Sequence, residues 1–205
     1  MPFEIIQIPR GDKNIRTFVE RYKEFRLLSL KVAPEAFGST LERELAFTDE
    51  TWYNRLANPK AVTFLALQRG RIVGSLTTIG PLPFSPDESS AISNPWDSLD
   101  GELPAHLKES HWRVNGMFTL PEVRRQGVAK ALMEKVVNFG SEEASRTGRT
   151  FAGSIVVDAD NPAAKTLYES AGYVVIKEET HSPGSSRTVL LMKYSPTPAV
   201  AKTLN

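Results

Sequence analysis

The chain has 205 residues, 40% hydrophobic and 24% charged, and 25 Lys and Arg nearly cancel 24 Asp and Glu to leave a formal charge of +1. These are the proportions of one soluble globular domain, without the basic excess of a nucleic-acid or anionic-membrane binder. Cysteine is absent, which excludes disulfides, thiolate metal sites and a cysteine nucleophile. No apolar run approaches a bilayer span and the N-terminus lacks a signal-peptide pattern, so a cytoplasmic protein with no membrane and no nucleic-acid partner is expected.

Phe3 to Ile8 reads as a short strand ended by Pro9. Residues 12 to 32 follow a helical pattern in which Phe18, Tyr22, Phe25, Leu28 and Val32 share a face, and Pro34 closes the helix. The stretch from Ala36 to Phe47 is mixed. Asp49 to Ala57 reads as a second helix carrying Trp52 and Leu56. Ala61–Leu67 and Arg71–Ile79 are rich in β-branched residues and flank Gln68-Arg69-Gly70, a tight-turn sequence, so they predict a hairpin.

Between Pro81 and His111 the patterning lapses. Five prolines break any helix, and Asp87, Glu88, Asp97, Asp100, Glu102 and Glu109 face only Lys108, a net five negative charges. Loops beyond about 12–15 residues are uncommon. This insertion reads either as a cover that draws a cationic amine to a site or as a solvated loop packing Trp96 and Leu99.

Trp112 to Leu120 is expected as a strand that meets Pro121, and Gly127 to Arg146 as a helix with Val128, Leu132, Val136 and Phe139 on one face. Thr150 to Val157 reads as a strand buried on both sides, Asn161 to Ala171 as a helix stopped by Gly172, then Tyr173–Ile176 and Thr188–Tyr194 as strands. The expected architecture is a single α/β domain over residues 1–195, a mixed parallel and antiparallel sheet with helices on both faces. The insertion at 81–111 and a tail at 196–205 are appended to it.

The chemistry concentrates where Met117-Phe118-Thr119 leads through Arg124-Arg125-Gln126-Gly127 into Val128-Ala129-Lys130. The first amides of a helix have no internal partner and carry partial positive charge. Small Gly127 and Ala129 let a ligand approach the backbone, and Arg124, Arg125 and Lys130 add full charges, so the turn could cradle a pyrophosphate. A solvated basic turn is the plainer alternative. Neither a P-loop nor a Gly-x-Gly-x-x-Gly fingerprint is present.

Arg124-x-x-Gly127-x-Ala129 resembles the acetyl-CoA motif, Gln/Arg-x-x-Gly-x-Gly/Ala, of the GCN5-related N-acetyltransferases (GNAT). Asn161 through Tyr173, with Tyr168 seven residues after the Asn and Gly172-Tyr173 following, resembles that family's later motif. Arg26–Leu30 and Pro34–Gly38 look like the N-terminal helices of many members. The resemblance implies acetyl-CoA as cosubstrate. Backbone groups of Met117, Phe118 and Thr119 would border its acetyl and pantetheine portion, and Arg125, Gln126, Gly127, Val128, Ala129 and Lys130 would hold the pyrophosphate beside Arg124. Asn161 would hydrogen-bond the pantetheine arm, and Tyr168 would sit near the thioester sulfur. A phenol of pKa about 10 is protonated at neutral pH and can donate to a leaving thiolate. On the residues alone, Tyr168 reads equally as a helix side chain packed on the sheet.

The implied reaction is direct attack of a primary amine on the thioester. A lysine-like amine must first lose its proton, at a cost of about 4–5 kcal/mol at pH 7. Many relatives carry a Glu on the strand before the pyrophosphate turn; here Asn115 cannot act as a base, and Glu42, Glu44, Asp158 and His111 are the candidates. His106 and His111 read as exposed loop residues, and no histidine spacing suggests a metal site. The expected acceptor is a small-molecule amine. A protein N-terminus or lysine, or a non-catalytic acyl-CoA sensor, is the alternative, and the protein is expected as a monomer or homodimer.

Overall fold

The hairpin begins at a turn of two left-handed residues, Arg69 at φ 51° and Gly70 at φ 76°, a backbone that matches the twist of the strands it joins. In the computed structural model, which describes residues 2–82, 109–180 and 186–195, it links β2 (Ala61–Gln68) to β3 (Arg71–Leu82). The other strands are β1 (Glu4–Gln7), β4 (Glu109–Thr119), β5 (Thr150–Asp158), β6 (Tyr173–Thr180) and β7 (Thr188–Tyr194). They form one seven-stranded sheet in the order β1-β2-β3-β4-β5-β7-β6. Its one parallel neighbour pair is β4 with β5, joined by the crossover helix α4 (Val128–Arg146). The β6–β7 hairpin folds back so that β7 pairs with β5 and β6 takes the edge.

Helix α1 spans Asp12–Val32, the predicted limits. Its buried stripe is Ile15, Val19, Tyr22, Phe25, Ser29 and Leu30, while Phe18 and Leu28 are half-buried and Val32 is exposed. Tyr22 and Phe25 of the expected face are thus buried, whereas Phe18, Leu28 and Val32 yield the core to Val19, Ser29 and Leu30. A 3₁₀ turn at Pro34–Ala36 and a five-residue helix α2 (Leu41–Leu45) fill the stretch that patterning left mixed. Too short to show periodicity, α2 is started by the Thr40 hydroxyl accepting from the Arg43 amide. Helix α3 (Asp49–Ala57) is capped in the same way by Thr48 and buries Trp52 and Leu56.

Helices cover both faces. From α4, Phe139 packs edge-on against Phe64 and Trp112; on the α1 face, Phe25 and Phe37 meet Phe118. Trp112 and Phe118 have the same parity on β4 and would share a face in a regular strand. They do not because Ser75 opposes Phe118 while Thr77 opposes Asn115, so β4 has one extra residue there. Gly116, at φ 61°, lies in this bulge.

Strand β4 starts three residues earlier than expected and β3 ends three later, with Leu82 opposite His111. The acidic segment is therefore strand at both ends. Residues 83–108, which hold most of it, lie outside the described residues, as do 181–185 and the tail at 196–205. No helix among the described residues is long and apolar enough to cross a membrane.

Candidate active site

Strands β4 and β5 are paired only from Glu109–Thr150 to Arg113–Ser154. Beyond that point β4 stays with β3 as far as Thr119, while β5 stays with β7 as far as Asp158. The sheet thus opens into a wedge, and each strand turns toward the gap an edge without a strand partner among the described residues. Val156, expected to be buried on both sides, is half-buried for this reason and lines the opening.

Two adjoining recesses occupy the wedge and share Ala36, Gly38, Met117, Val156 and Tyr168. The one at the apex, about 220 Å³, adds Val114, Asn115, Ile155, Arg26 and Phe37. The one at the open end, about 160 Å³, adds Asp158, Asn161, Ala164 and Arg187. Tyr168, on α5 (Pro162–Ser170), belongs to both. It is 8% exposed, and burial, with no charge or hydrogen bond contributing, pushes its phenol up to about 12. The phenol is therefore a proton donor throughout the neutral range.

Asn161 is the cap of α5, and its Oδ1 accepts from the Ala164 amide at 3.0 Å. Capping occupies Oδ1 and orients the side-chain amide, and Asn161 lines the open-end recess. Of the strand residues, Met117 lines the wedge, whereas the Phe118 side chain is buried among Phe25 and Phe37, so only its backbone is available. Thr119 offers its carbonyl to Arg124 Nε at 3.4 Å.

The chain from Thr119 passes a 3₁₀ turn (Pro121–Val123) and reaches α4 through Arg125 at φ 60° and Gly127 at φ 82°. The first helical bond here runs from the Ala131 amide to the Gly127 carbonyl, which leaves the amides of Val128, Ala129 and Lys130 without intrahelical acceptors. No acidic residue lies in the first turn of α4. Arg124, Arg125, Gln126, Gly127 and Lys130 are exposed, Ala129 is half-buried and Val128 is buried. A Cβ built on Gly127 meets nothing within 4 Å, so the space above this turn is open. The Gln126 side chain donates to the Glu122 carbonyl at 2.8 Å and tightens the turn.

The candidate bases separate. His111 is not a loop residue: it lies on β4, 2% exposed, with Nε2 2.5 Å from Ser154 Oγ. Burial, then the charges of Arg113 and Lys193, lower its pKa to about 3. It sits in the paired part of β4 and β5, behind the apex, and does not reach the wedge. Glu44 is wholly buried and held by Arg26 (2.7 Å) and Arg55 (2.8 Å). Its carboxyl is raised by burial and lowered further by those two arginines, to about 2. Glu42 is exposed on α2, away from the recess linings. Asp158 lines the open end but is paired with Arg187 at 2.5 Å. His106 and His181 lie outside the described residues. Among the described residues no group of three or more His, Asp or Glu could hold a metal.

The wedge and the turn lie at the two ends of one path along the last residues of β4. The family model for the acetyltransferase (GNAT) family matches residues 24–173. The chain belongs to the GNAT family.

Solved GNAT structures carry the same fold. Arabidopsis thaliana NAA60 in complex with acetyl-CoA matches with TM-score 0.62 at 17% identity, over 93% of this chain and 98% of that one. A GCN5-related N-acetyltransferase from Kribbella flavida matches with TM-score 0.57 at 19% identity, over 95% and 98%. A spermidine N-acetyltransferase SpeG chimera from Vibrio cholerae and hSSAT matches with TM-score 0.56 at 14% identity, over 93% of each chain. At such identities the likeness shows the fold alone. No curated protein matches the sequence.

Acetyl-CoA is the cosubstrate of GNAT enzymes, and the residues present fit it. Unpaired helix amides and left-handed turn residues suit a pyrophosphate, and the strand gap suits a narrow extended chain. Sequence reasoning passed over Arg26, Ala36, Phe37 and Gly38 as site residues. The stretch that contains them had been read only as resembling the family's N-terminal helices. Nothing in their local pattern says that the segment between α1 and α2 closes the apex.

Proposed function

We propose that this GNAT enzyme moves the acetyl group of acetyl-CoA to the primary amine of a small molecule by direct attack. The observation that carries the reading is the buried, protonated Tyr168 in the wedge that opens past Arg113 and Ser154. The new bond forms between the amine nitrogen and the acetyl carbon, and the carbon–sulfur bond breaks. Tyr168 gives its proton to the departing sulfur and is reprotonated from solvent, while the amine loses its own proton.

In this reading the amides of Arg125 through Lys130, with Arg124 beside them, hold the pyrophosphate. Asn161 Nδ2 donates to the pantetheine arm, and the free edge of β4 at Met117, Phe118 and Thr119 lies along it. Held in this way, the thioester is placed at the apex, where the acceptor arrives from the side of Ala36 and Phe37. Among the described residues, none of the candidate bases Glu42, Glu44, Asp158 and His111 is both in the wedge and unpaired. Deprotonation of the amine is assigned to solvent in the recess, and not to a side-chain base.

The test is release of free thiol from acetyl-CoA across a panel of primary amines, alongside acetyl-CoA affinity measured by calorimetry. Turnover of a small amine supports the reading. Tight acetyl-CoA binding with no turnover of any amine would make the protein an acyl-CoA sensor.

A further inference from the structure

The apex recess carries an excess of positive charge that the amine acetylation proposed above does not by itself require. Glu44, 0% exposed, is one anion facing two cations, Arg26 and Arg55. Arg26 spends Nε (3.0 Å) and Nη2 (2.7 Å) on that carboxylate. Its Nη1 makes no hydrogen bond among the described residues. The Arg26 side chain is 11% exposed, and its guanidinium lies 4.2 Å from the centre of the Phe37 ring, so it is held in place and largely out of water. Arg26 and Phe37 line the apex recess together with Asn115 and Tyr168. The Asn115 amide likewise has no hydrogen-bond partner among the described residues.

A fixed, dehydrated guanidinium with a donor to spare is matched by an anion and repels a cation. The geometry points to an acceptor whose primary amine sits close to a carboxylate, an amino acid, with Arg26 Nη1 and the Asn115 amide binding that carboxylate. This rests on the acetyltransferase reading and names its substrate class. Peptides and proteins, which present an amide carbonyl in place of the carboxylate, and polyamines, which add cations, meet a site built for neither. The same positive field favours the neutral form of an amine brought beside it, which suits a site with no unpaired side-chain base among the described residues. Glu44 is a positioning residue, because it fixes which nitrogen Arg26 has left.

The experiment measures kcat/KM with acetyl-CoA for the twenty protein amino acids, their carboxamides, the matching decarboxylated amines and spermidine. The expected result is that the best amino acid exceeds its own carboxamide and its decarboxylated amine by tenfold or more. Asn115→Leu, which leaves the Glu44 pairs untouched, is expected to raise KM for that amino acid at least fivefold while KM for acetyl-CoA stays within twofold. Arg26→Gln should bring the ratio of acid to carboxamide toward one. If that variant fails to fold, the wild-type panel and Asn115→Leu decide the matter. Carboxamides, amines or spermidine turning over as well as the best amino acid overturns the carboxylate site and leaves the acetyltransferase reading intact. Acetyl-CoA binding with no turnover of any amine overturns both.

Discussion

Arg113 and Ser154 are the last residues paired between the parallel strands β4 and β5, and past them the sheet divides. That single boundary sets where a ligand can pass between strands. Tyr168, Met117 and Asn115 all border the gap it creates.

Removal of the Tyr168 hydroxyl should separate chemistry from binding. Tyr168→Phe is expected to lower turnover by roughly 10²-fold or more, the usual worth of a placed general acid, with acetyl-CoA affinity within about threefold. Burial raises the phenol to about 12, so loss of its proton should not bend the pH–rate profile near 10, where an ordinary tyrosine titrates. Steady-state kinetics from pH 6 to 11 checks both points. Unchanged turnover in the variant would remove Tyr168 from the mechanism.

The proposed pyrophosphate role of the turn before α4 is tested at Gly127. An added Cβ has open space, but φ of 82° is costly for any other residue. Gly127→Ala should therefore fold with a loss of roughly 1–2 kcal/mol and keep measurable acetyl-CoA binding. Gly127→Glu adds bulk and a negative charge above the turn, and binding should disappear. Thermal melts and calorimetry on the two variants read these effects separately.

The Glu44 pair predicts an acid-sensitive fold. Its native pKa, about 2, lies below the unfolded value near 4.3, so its contribution is present above pH 4.3 and fades as pH falls toward 2. That contribution is about 3 kcal/mol. Glu44→Ala leaves the largely buried Arg26, and Arg55 beside it, without their carboxylate and should cost about 3 kcal/mol at pH 7. Urea denaturation at pH 7 and pH 3 should show a smaller pH effect in Glu44→Gln than in the wild type.

His111 acts over a higher pH window. Held neutral in the native state, with a pKa near 3, it is protonated in the unfolded chain below about 6.5. Stability from this residue is therefore complete above pH 6.5 and declines as pH falls from 6.5 toward 3. A His111→Gln variant, whatever its stability at pH 7, should lose less on going from pH 7 to pH 5 than the wild type does. An equal loss would mean that His111 is solvated in the native state.

How far these residues could be read in advance depends on the range of the forces that place them. Helix α1, helix α3 and the β2–β3 turn follow from near-neighbour rules: a 3.6-residue period, a threonine cap, a glycine able to take positive φ. The amides before α4 and the Asn161 cap are equally local, so this stretch was legible as a basic turn opening a helix. Helix α2, five residues long, had too little sequence to carry a period.

Other features depend on partners far along the chain. The strand character of His111 comes from pairing with Leu82 and Ala152. The faces of Trp112 and Phe118 depend on one extra residue in β4, visible only against the register of β3. Glu44 looked like a free carboxylate until Arg26 and Arg55 were brought to it from two other helices. An ordinary length and a charge near zero, with motifs of short range, determined the mixed α/β class, most of its elements and a basic turn opening α4. The tertiary structure alone decided that β4 and β5 part after Arg113, and that a shielded arginine faces the opening. Strand register and burial join residues tens of positions apart, and no local pattern encodes them.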